Sequence, residues 1–145
     1  MANTQADVET LNSFLRGEIS AVETYRQAID HVSDDRIRTQ LEDCLHDHEQ
    51  RVESIRDHIQ KLGGTPSEGS GVWGTFAKLV QGGADLLGEK TAIAALEEGE
   101  DRGLADYQSG IDKAHGEARR LVRMELLPAQ KRTHAQLSRL KKTLH

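Results

Sequence analysis

Near the start of the chain, apolar residues recur at steps of three, four and seven: Val8, Leu11, Leu15, Val22, Ile29 and Val32. That spacing is the buried stripe of an amphipathic helix packed in a bundle. Two polar residues, Glu18 and Tyr25, fill the steps that the apolar residues skip. The same period returns three times: through Leu41, Leu45, His48, Val52, Ile55, Ile59 and Leu62; through Ile93, Leu96, Glu100, Leu104, Tyr107 and Ile111; and through Leu126, Leu127, Gln130, His134, Leu137, Leu140 and Leu144. It predicts an all-α domain spanning 1–145, with helices over about 4–32, 35–62, 89–114 and 117–144.

The punctuation agrees with this division. Ser33, Asp34 and Asp35 supply a turn and an N-cap, and "LGGTPSEGSG" after the second helix is a stop built from paired glycines and a proline. Pro128 predicts a kink or break in the fourth helix. The connection over 63–88 is too long for a tight turn and contains Val72, Trp73, Phe76, Leu79 and Val80. It reads as a crossover carrying a short amphipathic helix laid on the bundle. Short loop, long crossover, short loop is the connectivity of ferritin-like bundles.

The polar residues on the stripes carry the chemistry. "RGEISAVETYRQAID" at 16–30 aligns with "EGEDRGLADYQSGID" at 98–112 at an offset of 82, matching Glu18 with Glu100 and Tyr25 with Tyr107. This predicts an internally repeated helical hairpin with two carboxylates facing one interior. Antiparallel register brings His48, with Glu49 beside it, level with Glu18, and Gln130 and His134 level with Glu100. A di-metal carboxylate bundle takes one glutamate from each of two helices and a Glu-x-x-His pair from each of the other two. Glu18 and Glu100 meet the first half. Leu45 and Lys131 stand three residues before His48 and His134, where the second half needs carboxylates. The candidate metal ligands are therefore Glu18, His48, Glu49, Glu100 and His134, with Tyr25, Tyr107, Gln130, Arg51 and Glu97 as supporting groups. The competing expectation is a metal-free layer, in which histidine, arginine, glutamine and tyrosine satisfy the two carboxylates.

Charged residues make up 30% of the chain and aromatics 3%, a balance suited to long solvated helices. The formal charge of −5 argues against nucleic-acid binding. No apolar run reaches the length of a membrane span and no leader is recognisable, so a cytoplasmic protein is expected. Cys44 is the lone cysteine, which excludes an intrachain disulfide. Self-association fits a bundle of this kind, and no specific partner is indicated.

"LGGTP" at 62–66, "GVWGTFAKL" at 71–79, "LEEGEDRGLADYQ" at 96–108 and the Gln130-to-His134 spacing together resemble an uncharacterised bacterial four-helix-bundle family, a domain of unknown function in the ferritin-like superfamily. The resemblance covers nearly the whole chain and implies a ferritin-like fold without supplying a reaction. The reading is a bundle of unestablished role, leaning away from an enzyme, whose Glu/His layer is a degenerate di-metal site holding no metal or holding it weakly. The alternative is a di-iron or di-manganese carboxylate protein that handles iron or peroxide.

Overall fold

The computed structural model describes residues 2–69 and 89–143. The crossover expected over 63–88, with its Trp73 and Phe76, lies outside the described residues from residue 70 onward. Among the described residues the chain forms four long helices: α1 (Ala2–Ile29), α2 (Asp35–Lys61), α3 (Glu89–Gly110) and α4. The last is a composite of Gly116–Leu121, a π-helical stretch Val122–Leu126, and Leu127–Thr143. A 3-10 turn, Ile111–Lys113, joins α3 to α4. None of these helices is long and apolar enough to cross a membrane.

Each helix end follows from local chemistry. α1 stops at Ile29, three residues before the expected end, where the Arg38 guanidinium donates to the carbonyls of Ile29 and Val32. Asp34 caps α2 by accepting from the Arg36 and Ile37 amides. Glu89, the first residue of α3, accepts from Ser33 and Asp34 and ties that turn to the second hairpin. At the far end of α2, Gly63 takes φ +80, and the Gly63 and Gly64 amides donate to Gln60 and Ile59. This left-handed closing motif reverses the chain, as the paired glycines predict. Thr65 and Ser67 then dock on Asn12 and Arg16, which holds the described start of the crossover against α1. Asp7 accepts from both the backbone and the ring of His115 and fixes the start of α4.

The π-helical stretch is the local answer to Pro128. A proline inside a helix has no N–H, and its ring clashes with the carbonyl four residues back. Widening the preceding turn, with the Leu127 amide donating to the Val122 carbonyl, lets α4 pass through Pro128 as a continuous helix.

The core is two apolar clusters with a polar layer between them. One gathers Leu41, Cys44, Ile93, Leu96, Leu137 and Leu140. The other gathers Leu11, Phe14, Leu15, Ile55, Ile59, Val122 and Leu126. The buried seam of α4 runs through Leu126, Ala129, Gln130, Thr133, Leu137 and Leu140, one position away from the expected stripe at its middle. Small Ala129 and Thr133 carry no apolar signal in the sequence, whereas His134 sits one residue further round and leaves the seam.

Gly110 closes α3 against Phe14. A Cβ there would lie 2.4 Å from Phe14 Cζ, and Phe14 is itself packed on Tyr107 with ring centroids 4.7 Å apart. Alanine gains about 1 kcal/mol over glycine inside a helix, but forced overpacking costs about 1–3 kcal/mol. Gly110→Ala is therefore expected to lower the midpoint of thermal unfolding, followed by circular dichroism. A raised midpoint would contradict this packing.

Candidate functional site

Six inward side chains, drawn from all four helices, meet at the middle of the bundle: Glu18 from α1, His48 and Arg51 from α2, Glu100 from α3, and Gln130 and Thr133 from α4. Each is no more than 4% exposed. A carboxylate so placed must be protonated, paired or cation-bound. Here both are paired.

His48 stands between the two glutamates. Its Nδ1 lies 2.5 Å from Glu18 Oε1 and its Nε2 lies 2.7 Å from Glu100 Oε2. An ionised carboxylate only accepts, so two ionised partners require both ring nitrogens to donate, which makes His48 an imidazolium. Burial and the neighbouring Arg51 push its pKa down, but the two carboxylates outweigh them and raise it to about 9. Burial likewise pushes the Glu18 carboxyl up, and Arg51 and His48 more than reverse this, holding it at about 2. Glu100 is also held below its usual value, burial being overcome by His48, with further help from Thr133 and Tyr25.

Arg51 supplies the second positive charge and spends five contacts on five acceptors. Nη1 donates to Glu18 Oε2 at 3.3 Å and Gln130 Oε1 at 2.5 Å, Nη2 to the Ala129 carbonyl at 3.1 Å and Thr133 Oγ1 at 2.9 Å, and Nε to Asp47 at 3.0 Å. Gln130, oriented by Arg51, donates through Nε2 to Glu100 Oε1 at 2.9 Å, and Thr133 donates to the same oxygen at 2.6 Å. The tyrosines cross between the halves of the bundle. Tyr25 on α1 donates to Glu100 at 2.6 Å, and Tyr107 on α3 donates to Glu18 at 2.5 Å. Burial and the adjacent carboxylates raise both phenols well above their usual value, so they act as donors. Two negative charges face two positive ones, and the layer is neutral.

Three expected participants lie elsewhere. His134 is part-exposed and meets Asp101 at 2.5 Å on the flank of the bundle. Glu49 pairs with Arg26 at 2.8 Å on the surface, one step of about 100° round α2 from His48. Glu97 is reached by Lys141 at 3.0 Å near the outside. Arg51, expected only in support, is central, and Thr133 was not expected at all. Both become visible by stepping forward three residues from the seam positions His48 and Gln130, whereas stepping back three from each histidine reaches Leu45 and Lys131. Cys44 is buried beside Tyr25, and burial with the Glu100 charge pushes its thiol up to about 12, which disfavours the thiolate.

A cleft of about 40 Å³ between α1 and α3 reaches the layer past Gly17, Ala21, Gly99 and Gly103. That space suits a few water molecules, far below the ~300 Å³ at which organic ligand pockets begin.

Fold and layer together define a four-helix bundle of the ferritin-like class with a charged interior. Residues 6–113 match the family described as a domain of unknown function, DUF2383, and the chain belongs to that family. Among solved structures it is similar to the crystal structure of ferritin-like, diiron-carboxylate proteins from Bacillus anthracis str. Ames, with a TM-score of 0.79 and 18% identity over 97% of this chain and 99% of that one. At that identity the likeness establishes the fold alone. No curated protein matches the sequence.

The fold class raises the question of a metal pair, and the donors answer it. The six inward positions reproduce the di-metal plan of two single residues and two i, i+3 pairs. The pairs, however, are His48 with Arg51 and Gln130 with Thr133 in place of two Glu–His pairs. Arginine has no lone pair to offer a metal, and no group of three His, Cys, Asp or Glu able to hold a metal ion occurs among the described residues. Two divalent ions added to Arg51 would set five positive charges against two carboxylates. These residues do not fit a di-metal centre.

The charge pairing fixes a pH dependence. With a usual value of 6.5 and a folded value of about 9, His48 holds a proton in the folded chain that the unfolded chain loses across this window. Its contribution is complete below 6.5 and disappears as pH rises through 9. Glu18, at about 2 against a usual 4.5, contributes fully above 4.5 and loses that contribution as pH falls towards 2. Denaturant unfolding is expected to show stability falling from pH 6.5 to 9, with the slope flattened in His48→Gln. Stability that rises across that window would contradict the assignment.

Proposed function

We propose that this protein is a metal-independent member of the ferritin-like class, in which two side-chain cations take the electrostatic place of a metal pair. Its interior layer holds the two hairpins in register, and the protein acts as a structural or interaction bundle rather than as an oxidase or peroxidase. The observation that carries this reading is His48 bridging Glu18 and Glu100 through both ring nitrogens, with Arg51 completing the charge balance.

Three features support it. Every carboxylate oxygen in the layer accepts at least one hydrogen bond from a protein group. A cation entering the layer would first have to displace the His48 proton and would then face the fixed guanidinium of Arg51. The layer also draws on all four helices, so it fixes their register, the best-attested role of buried charge.

The test is metal analysis of protein purified without chelators, together with the Glu18→Gln and Glu100→Gln variants. Iron and manganese are expected well below one equivalent per chain in all three proteins, and the thermal midpoint is expected to be the same before and after exhaustive chelation. Near two equivalents in the unmodified protein, lost on either substitution, would replace this reading with a functional di-metal carboxylate protein.

A further inference from the structure

The correspondence between α1 and α3 continues into the second helix of each hairpin. At the same offset of 82, Cys44 falls on Leu126, His48 on Gln130, Arg51 on Thr133 and Ile55 on Leu137, all of them buried. Ahead of the π-helical stretch the buried positions match at 81 instead, Ile37 with Ala118 and Leu41 with Val122. The widened turn over Val122–Leu126 therefore takes up one extra residue, as a π-helical turn does. That insertion brings Gln130 and Thr133 into the places on α4 that His48 and Arg51 hold on α2.

The hydrogen bonds repeat with the positions. Each glutamate accepts from the i, i+3 pair of its own hairpin: Glu18 from His48 and Arg51, Glu100 from Gln130 and Thr133. Each also accepts from the tyrosine of the other hairpin. The charges do not repeat. Within the layer, α1 and α2 bring one carboxylate and two cations, whereas α3 and α4 bring one carboxylate and two neutral donors. At the rim, Asp47 accepts from Arg51 and is met by Arg132 from α4, and its counterpart at the offset of 82 is Ala129.

We infer that the inward face of the α3–α4 hairpin is a recognition surface whose partner is defined by charge: a hairpin that presents a histidine–arginine pair at i, i+3. The inference rests on the metal-free reading of the layer. Position alone does not tell one hairpin from the other, since equivalent residues meet in equivalent ways. Two α3–α4 faces would enclose two carboxylates with no cation, and two α1–α2 faces would enclose four cations with two carboxylates. Either pairing leaves uncompensated charge out of water, which is the costly arrangement. Only unlike hairpins make a neutral layer, so the pairing is specified by what the wrong partner would bury. It follows that either hairpin can carry the cation pair, provided that the other does not.

Exchanging the two sets of residues in the full chain tests this, with thermal unfolding followed by circular dichroism in the presence of a chelator. Asp47→Ala, His48→Gln and Arg51→Thr together remove the cations from α2. Ala129→Asp, Gln130→His and Thr133→Arg together place a second pair on α4. Each triple variant is expected to melt at least about 10 °C below the parent, because each encloses unbalanced charge. The chain with all six substitutions is expected to melt above both triple variants, because it rebuilds the neutral layer with the roles of the hairpins reversed. A six-residue variant no more stable than the better triple variant overturns the inference. Should the triple variants fail to fold, the six-residue variant decides alone: cooperative unfolding with the helical circular dichroism of the parent supports the inference, and an unfolded chain overturns it. Failure of the metal-free reading shows separately, as iron or manganese bound to the parent chain before chelation.

Discussion

Two carboxylates enclosed in a helical bundle are the constraint around which the remaining interior is arranged. Glu18 and Glu100 are removed from water, and burial alone would drive both towards the protonated form. The imidazolium of His48 between them prevents this, and the guanidinium of Arg51 completes the neutralisation. Removing either cation would leave a buried negative charge uncompensated, the costly way to break an ion pair in a protein interior. Each position in the layer is therefore tied to the others more tightly than an apolar residue would be.

The layer also determines which helix sits beside which. α2 supplies both cations, α1 and α3 supply the anions, and α4 supplies Gln130 and Thr133, which orient Arg51 and Glu100. Each tyrosine reaches across to the glutamate of the other hairpin. A slip of one turn in any helix, about 5.4 Å, would break several of these bonds at once. Leucine-rich clusters above and below would tolerate such a slip better, since apolar contacts lack direction. The apolar clusters thus provide most of the driving force for folding, and the polar layer provides registration. Ferritin-like proteins with metal pairs reach the same end with bridging ions, whereas here the positive charge belongs to the chain.

Much of this was legible in the sequence because helical period and loop chemistry are local signals. The four stripes, the Asp34 cap and the glycine reversal at 62–64 follow from residue type and spacing. The oddity of Glu18 and Glu100 follows equally, since a carboxylate on an apolar stripe stands out, and antiparallel counting from the turns reaches His48. What failed was the phase of α4. Thr133 and Ala129 are too small to mark a buried stripe, and the turn widened ahead of Pro128 shifts the phase on which residue counting depends. His134 therefore looked inward in the sequence and lies on the flank in the structure. Arg51 was underweighted for a different reason, because long basic side chains are seldom fully buried without a partner, and its partners are dispersed over three helices.

The charge state of His48 is the point on which the account stands. Nitrogen-15 NMR of the imidazole in the parent chain, assigned with His48→Gln, reads the two ring nitrogens directly. Near neutral pH both are expected to carry hydrogen and to show imidazolium shifts, with the proton lost only in the region of pH 9. A neutral ring with one bare nitrogen at neutral pH would contradict the account, since it would leave the charge of the two glutamates to be balanced by something other than the chain itself.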